Sequence, residues 1–177
     1  MISSLLFGLA SCANWAVIFT GSADFTNYRH SADSFYQYYA LIERNFPRDH
    51  IILLNYDNIA RAYANPFNNS IFRELDHQIN VYPGLQYVDY RDKNVTANAF
   101  YGVLTGNRTL SGGQRVLEST SEDNVYVFYD NHGGAGFLAV PERNGRYIYA
   151  DELHEILLKM KNDRMFKNLF FPITACF

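Results

Sequence analysis

Two side chains in this sequence can carry acyl transfer, and each follows an apolar run. His132 heads His132-Gly133-Gly134 just after VYVFY (125–129), and Cys176 comes directly after LFFPITA (169–175). A cysteine thiolate is intrinsically nucleophilic, and a neighbouring imidazole can take the thiol proton and later return it to a leaving amine. The paired glycines let substrate backbone approach closely. The Gly133 N–H is then available to a developing oxyanion, a contact whose loss costs about 3 kcal/mol of transition-state stabilisation. A third polar group, Asn27-Tyr28-Arg29-His30, follows an earlier apolar run. Taken singly, each feature has an ordinary reading: His132 as a turn residue, Arg29 and His30 as a solvated helix start, Cys176 as a buried inert thiol. Their joint placement favours catalysis, because reactive groups in open α/β sheets gather beyond the carboxyl ends of the strands.

The elements that must position these groups alternate in type. Residues 15–20 (WAVIFT), 51–56 (IILLNY) and 125–129 read as buried strands, and 169–175 as a fourth strand interrupted by Pro172. Ala32, Phe35, Tyr36 and Tyr39 fall at helical spacing and predict a helix over residues 31–44. Phe100, Val103 and Leu104 share a helical face that ends at Gly106, and Leu153, Ile156, Leu157 and Met160 define another, with Asp151 and Glu152 in its first turn. Residues 57–94 have no clear period and read as a long excursion, residues 107–123 as a polar loop, and residues 130–134 as a turn. Residues 137–140 and 147–149 flank a hairpin connection. This alternation predicts a mostly parallel sheet with helices on its faces.

At 177 residues and 48% apolar content, the chain is long enough for one domain with a substantial core. Charged residues make up 19% and the net charge is −3, so no nucleic-acid footprint is expected. Residues 1–13 (MISSLLFGLASCA) hold an apolar stretch and a small-x-small ending, and are expected to be a signal peptide, although the stretch lacks an early Lys or Arg. A buried N-terminal strand or helix is the alternative. The stretch is too short for a stable bilayer anchor, and no other segment suits that role. Sequons at Asn68, Asn94 and Asn107 permit glycosylation along a secretory route. Cys12 and Cys176 are the only cysteines, so removal of the leader would leave Cys176 unpaired, as a candidate nucleophile.

The runs NWAVIFTGS (14–22), NYRHSAD (27–33), NPF (65–67), NVTANAFYGVLTG (94–106), NVYVFYDNHGGAGFLAVP (124–141) and ITAC (173–176) resemble, in order, those of the legumains. These are asparaginyl endopeptidases of peptidase family C13 with a caspase-like fold. The resemblance implies a three-layer αβα sandwich, with residues 14–177 as the N-terminal part of the peptidase domain, ending after its fourth core strand. It implies His132 and Cys176 as the catalytic pair, Asn27 orienting the imidazole and Gly133 at the oxyanion. Arg29, His30 and Thr174 are implied at the substrate pocket. It further implies cleavage of peptide or protein substrates after Asn or Asp, no metal or organic cofactor, inhibitor or prodomain contacts, and a secretory destination, lysosomal, vacuolar or secreted. Asn131 and Thr174 depart from the family, which usually carries Asp and Glu there; without the Glu, an acceptor for a substrate carboxamide is missing. Two other readings remain. NVY (80–82), VDYR (88–91) and GGAGFL (133–138) resemble the catalytic subunit of a glycosylphosphatidylinositol transamidase. A non-catalytic paralogue that binds peptide without cleaving it is the other.

Overall fold

A computed structural model describes residues 12–141 and 145–176. The expected leader therefore lies outside the described residues up to residue 11. Four parallel strands and their neighbours build the frame. β1 (Asn14–Thr20) pairs with β2 (Ile51–Leu54) on one side and β3 (Asn124–Asp130) on the other. The far edge of β3 is taken by β7 (Asn168–Phe170) and then β8 (Ile173–Thr174), again parallel. After Gly133, a small antiparallel sheet runs through β4 (Gly133–Gly134), β5 (Phe137–Leu138) and β6 (Ile148–Tyr149).

Helices cover both faces. α1 (Tyr28–Glu43) lays Ala32, Phe35 and Tyr38 against Ala16 and Ile18 of β1 and Phe128 of β3. On the opposite face α2 (Ala97–Leu104) and α3 (Ala150–Asn162) close over Trp15, Val17, Phe19, Val125, Val127 and Tyr129. This is the expected α/β sandwich with a mostly parallel central sheet. β1 is buried on both faces, which is why residues 15–19 (WAVIF) are apolar throughout instead of alternating. Phe19 and Phe100 meet with ring centroids 4.8 Å apart. Burying side chains of this size stabilises by about 1.5–3 kcal/mol each. Thr96 caps α2 by accepting the Ala99 N–H at 3.0 Å.

Four details differ from the sequence-based expectation. α1 begins at Tyr28 instead of residue 31, bringing Arg29 and His30 into its first turn. β2 ends at Leu54, where Asn55 turns its amide to the Thr20 hydroxyl at 2.8 Å. Gly133 and Gly134, expected within a turn, form a strand against Leu138 and Phe137. Pro172 splits the last strand into β7 and β8, yet its carbonyl still accepts the Tyr129 N–H at 3.2 Å. The missing proline donor disrupts little, because β7 and β8 pair only with β3 among the described residues. The excursion at 57–94 is not loose: Ile59, Ile71, Val81 and Val88 are buried against the α1 side.

Candidate active site

β1 lies at the centre of the sheet, with one connection leading to β2 and the next to β3 on the opposite side. Such a switch point opens a crevice beyond the carboxyl ends of the two strands. Asn27 enters it from the segment after β1, and His132 from the segment after β3. Asn27 occupies the N-cap position of α1 but does not cap it. Its Nδ2 donates instead to the Ala23 carbonyl at 2.8 Å, which fixes the amide. Oδ1, an acceptor only, then faces His132 Nε2 at 2.8 Å. Nε2 therefore carries the proton in this contact, and Nδ1 is left as the basic nitrogen.

Backbone bonds hold the loop that carries His132. Gly21 N–H donates to the Asp130 carbonyl at 3.1 Å, and the Asn131 side-chain amide donates back to the Gly21 carbonyl. The Asn131 N–H donates to the Thr174 carbonyl at 3.1 Å, tying the ends of β3 and β8 together. The His132 carbonyl accepts the Ala139 N–H at 3.0 Å and the Tyr129 hydroxyl at 3.2 Å. A Cβ on Gly21 would sit 2.4 Å from the Ala139 carbonyl oxygen, so only glycine permits this closeness.

Two titratable groups are buried in this region, His30 against the imidazole and Asp130 two residues before it in the chain. His30 bonds the Ser22 hydroxyl through Nδ1 at 2.8 Å, and its ring meets His132 edge-on at 4.8 Å between centroids. Burial, then the Arg29 and His132 charges, push His30 down to about 4, so it is a neutral imidazole at physiological pH. Asp130 moves the other way: burial and then the Asp33 charge push it up to about 7, against the pull of Arg29.

A cavity of about 410 Å³ is walled by Ser22, Asn27, His132, Gly133, Phe137 and Tyr147. Cys176 leaves β8 exposed to solvent and lines an adjoining cavity of about 360 Å³ with Gly134, Phe137, Ile173 and Ala175. Phe137 is common to both cavities. The Cys176 backbone packs on Gly133, where a Cβ would lie 2.7 Å from the Cys176 carbonyl oxygen. Asn27, His30, His132 and Gly133 are thus assembled in one place, with Cys176 beside them on the neighbouring strand end. Arg29 is exposed and lines a third cavity, between α1 and the segment carrying Phe67, Phe72 and His77. Thr174 is exposed on β8, in register with Asp130. Sequence reasoning passed over Ser22 and Asp130. Asp130 had a readable signal: it continues the face set by Tyr126 and Phe128, a charge where that alternation calls for an apolar residue. No cluster of His, Cys, Asp and Glu that could hold a metal ion occurs among the described residues.

The fold, with an imidazole and a thiol leaving the ends of neighbouring parallel strands, defines an α/β protein with a mostly parallel central sheet. The model of the Peptidase C13 family matches residues 14–177, and the chain belongs to that family. It is 40% identical over 164 residues to a vacuolar-processing enzyme of Citrus sinensis, covering 92% of this chain and 32% of that protein. It is 37% identical over 164 residues to a vacuolar-processing enzyme of Vicia sativa, with coverages of 92% and 32%. With a hemoglobinase of Schistosoma mansoni it shares 35% identity over 161 residues, 91% of this chain and 36% of the relative. The chain thus spans about a third of the length of these curated relatives.

Proposed function

We propose that this chain supplies the histidine–cysteine part of a legumain-type endopeptidase site that hydrolyses peptide bonds after Asn or Asp. The observation that carries the reading is the Asn27–His132 contact. It holds the imidazole proton on Nε2 and leaves Nδ1 basic, while the neighbouring parallel strand delivers a thiol to the same edge of the sheet. In the proposed mechanism His132 Nδ1 takes the Cys176 thiol proton as Sγ attacks the substrate carbonyl. The Gly133 N–H donates to the oxyanion. The tetrahedral species then expels the amine, which takes its proton from His132, leaving a thioester. Water, deprotonated by His132, attacks that thioester and releases the acid and the free thiol. Arg29, His30 and Thr174 are the candidate substrate contacts.

The names of the relatives, vacuolar-processing enzyme and hemoglobinase, support protein substrates and a vacuolar, lysosomal or other secretory-pathway setting. Among the described residues no helix is long and apolar enough to cross a membrane. A thiol-reactive peptide electrophile ending in Asn tests the reading. Labelling of Cys176 that disappears in Cys176→Ala is expected; a folded, unlabelled chain would instead support a peptide binder without catalysis.

A further inference from the structure

Asn68, Asn94 and Asn107 stand in sequons, and their surroundings separate them. A sequon joins a carboxamide that takes a sugar to a hydroxyl two residues on, and both have to be within reach of a modifying enzyme. At Asn94 the hydroxyl is engaged: Thr96 caps α2 through its Oγ1, and Val95 between the two is fully buried. At Asn68 the Ser70 Oγ accepts the Asn80 amide at 3.3 Å, and the preceding Pro66 and Phe67 line the cavity that Arg29 also lines. Asn107, Arg108 and Thr109 are exposed throughout, and the Thr109 hydroxyl has no partner among the described residues. The Asn107 carboxamide is already oriented. Its Oδ1 accepts the Leu110 N–H at 3.0 Å, which leaves Nδ2 as the atom without a partner.

The turn around Asn107 has room. Gly112 and Gly113 donate to the Thr109 and Arg108 carbonyls at 3.2 and 2.7 Å, so they lie against the sequon, and a Cβ built on either would meet nothing within 4 Å. Arg108 lines a cavity with Trp15, Asp49 and His50, at the starts of β1 and β2. His132 and Cys176 leave the opposite, carboxyl ends of the parallel strands, about 20 Å away along a strand of this length. A bulky hydrophilic group on Asn107 therefore stands clear of the cleft. We propose that Asn107 is a modification site carrying an N-linked oligosaccharide, a reading that rests on the secretory setting proposed above. In the transfer, Nδ2 bonds to the anomeric carbon of an oligosaccharide held on a lipid diphosphate. The diphosphate leaves with the electrons of the broken C–O bond, and the carboxamide gives up one proton.

The full chain is translated with membranes of the secretory route, once as it stands and once behind a supplied signal sequence. Glycans are then removed enzymatically in heavy-oxygen water, which converts each occupied Asn to a labelled Asp that peptide mass spectrometry locates. Label is expected at Asn107 in the larger part of the chains, and at Asn68 and Asn94 in a minor part or none. Asn107→Asp keeps the acceptor for the Leu110 N–H and deletes Nδ2, while Thr109→Val keeps the side-chain shape and deletes the hydroxyl. Each should abolish the gel shift of one glycan, and Thr109→Ser should retain it. No label at Asn107 behind the supplied signal sequence, more label at Asn68 or Asn94 than at Asn107, or a gel shift that survives both variants would overturn the inference. Label at Asn107 only behind the supplied signal sequence would uphold it and reject the secretory routing of the chain itself.

Discussion

The two sides of the candidate site are built to different standards. On the imidazole side His132 is held through Asn27, its loop is tied by Gly21 and Asn131, and His30 is buried against its ring. On the thiol side Ile173, Thr174 and Cys176 are exposed, on a strand pair supported only by β3 among the described residues. In the proposed mechanism the base must be oriented before it is useful, and its side is the one locked by hydrogen bonds. A nucleophile must meet its substrate, and its side is open. Rigidity is thus concentrated where a proton must be directed.

Substitutions that attack the two sides should differ in kind. His132→Ala should slow labelling of Cys176 by the Asn electrophile by about 10²–10⁴-fold with little change in melting temperature, since it removes the base and leaves the scaffold. Two glycine replacements then compare the sides directly. Gly21→Ala places a Cβ 2.4 Å from both the Ala139 carbonyl oxygen and Asn131 Nδ2, and should destabilise by about 3 kcal/mol in urea unfolding. Gly133→Ala meets the Cys176 carbonyl oxygen at 2.7 Å, but the exposed β8 tail can yield, so about 1 kcal/mol is expected. Equal costs would erase the contrast.

The two buried groups make a sharper pair. The raised Asp130 value means the folded chain binds a proton more tightly than the unfolded chain. Its stabilising contribution is complete below about pH 4 and is lost as pH rises towards about 7. The lowered His30 value has the opposite sign: its contribution is present above about 6.5 and is lost as pH falls towards about 4. Between these limits the two oppose each other. Asp130→Asn should therefore make the chain lose on the order of 2–3 kcal/mol more than the parent on acidification from pH 7 to 4.5. His30→Gln should shift the balance the other way by a similar amount, with urea titrations at the two pH values as the measurement. The smallest effect is expected of Ser22→Ala, about 0.5 kcal/mol, from the lost bond to His30.

The frame was readable in the sequence because burial writes itself into pattern. Residues 15–19 (WAVIF) had to be apolar at every position, and Phe100, Val103 and Leu104 had to share a face. What pattern missed lies at the site. The start of α1 was hidden because its first turn is polar and carries Arg29 where a helix dipole disfavours a cation, while Asn27 gives up its cap to hold His132. Local rules fail where function overrides them. Asp130 was passed over similarly, since an acid after an apolar run reads as the opening of a turn; the alternation with Tyr126 and Phe128 and the register with Thr20 and Thr174 place it inside.

The Asn27 amide oxygen faces His132 Nε2 as an acceptor, and the proton position this implies is directly observable. Long-range ¹⁵N–¹H correlation of the His132 ring, at a pH where the imidazole is neutral, should show hydrogen on Nε2 and a bare Nδ1, with the preference lost in Asn27→Ala. A proton found on Nδ1 in the parent chain would contradict the account.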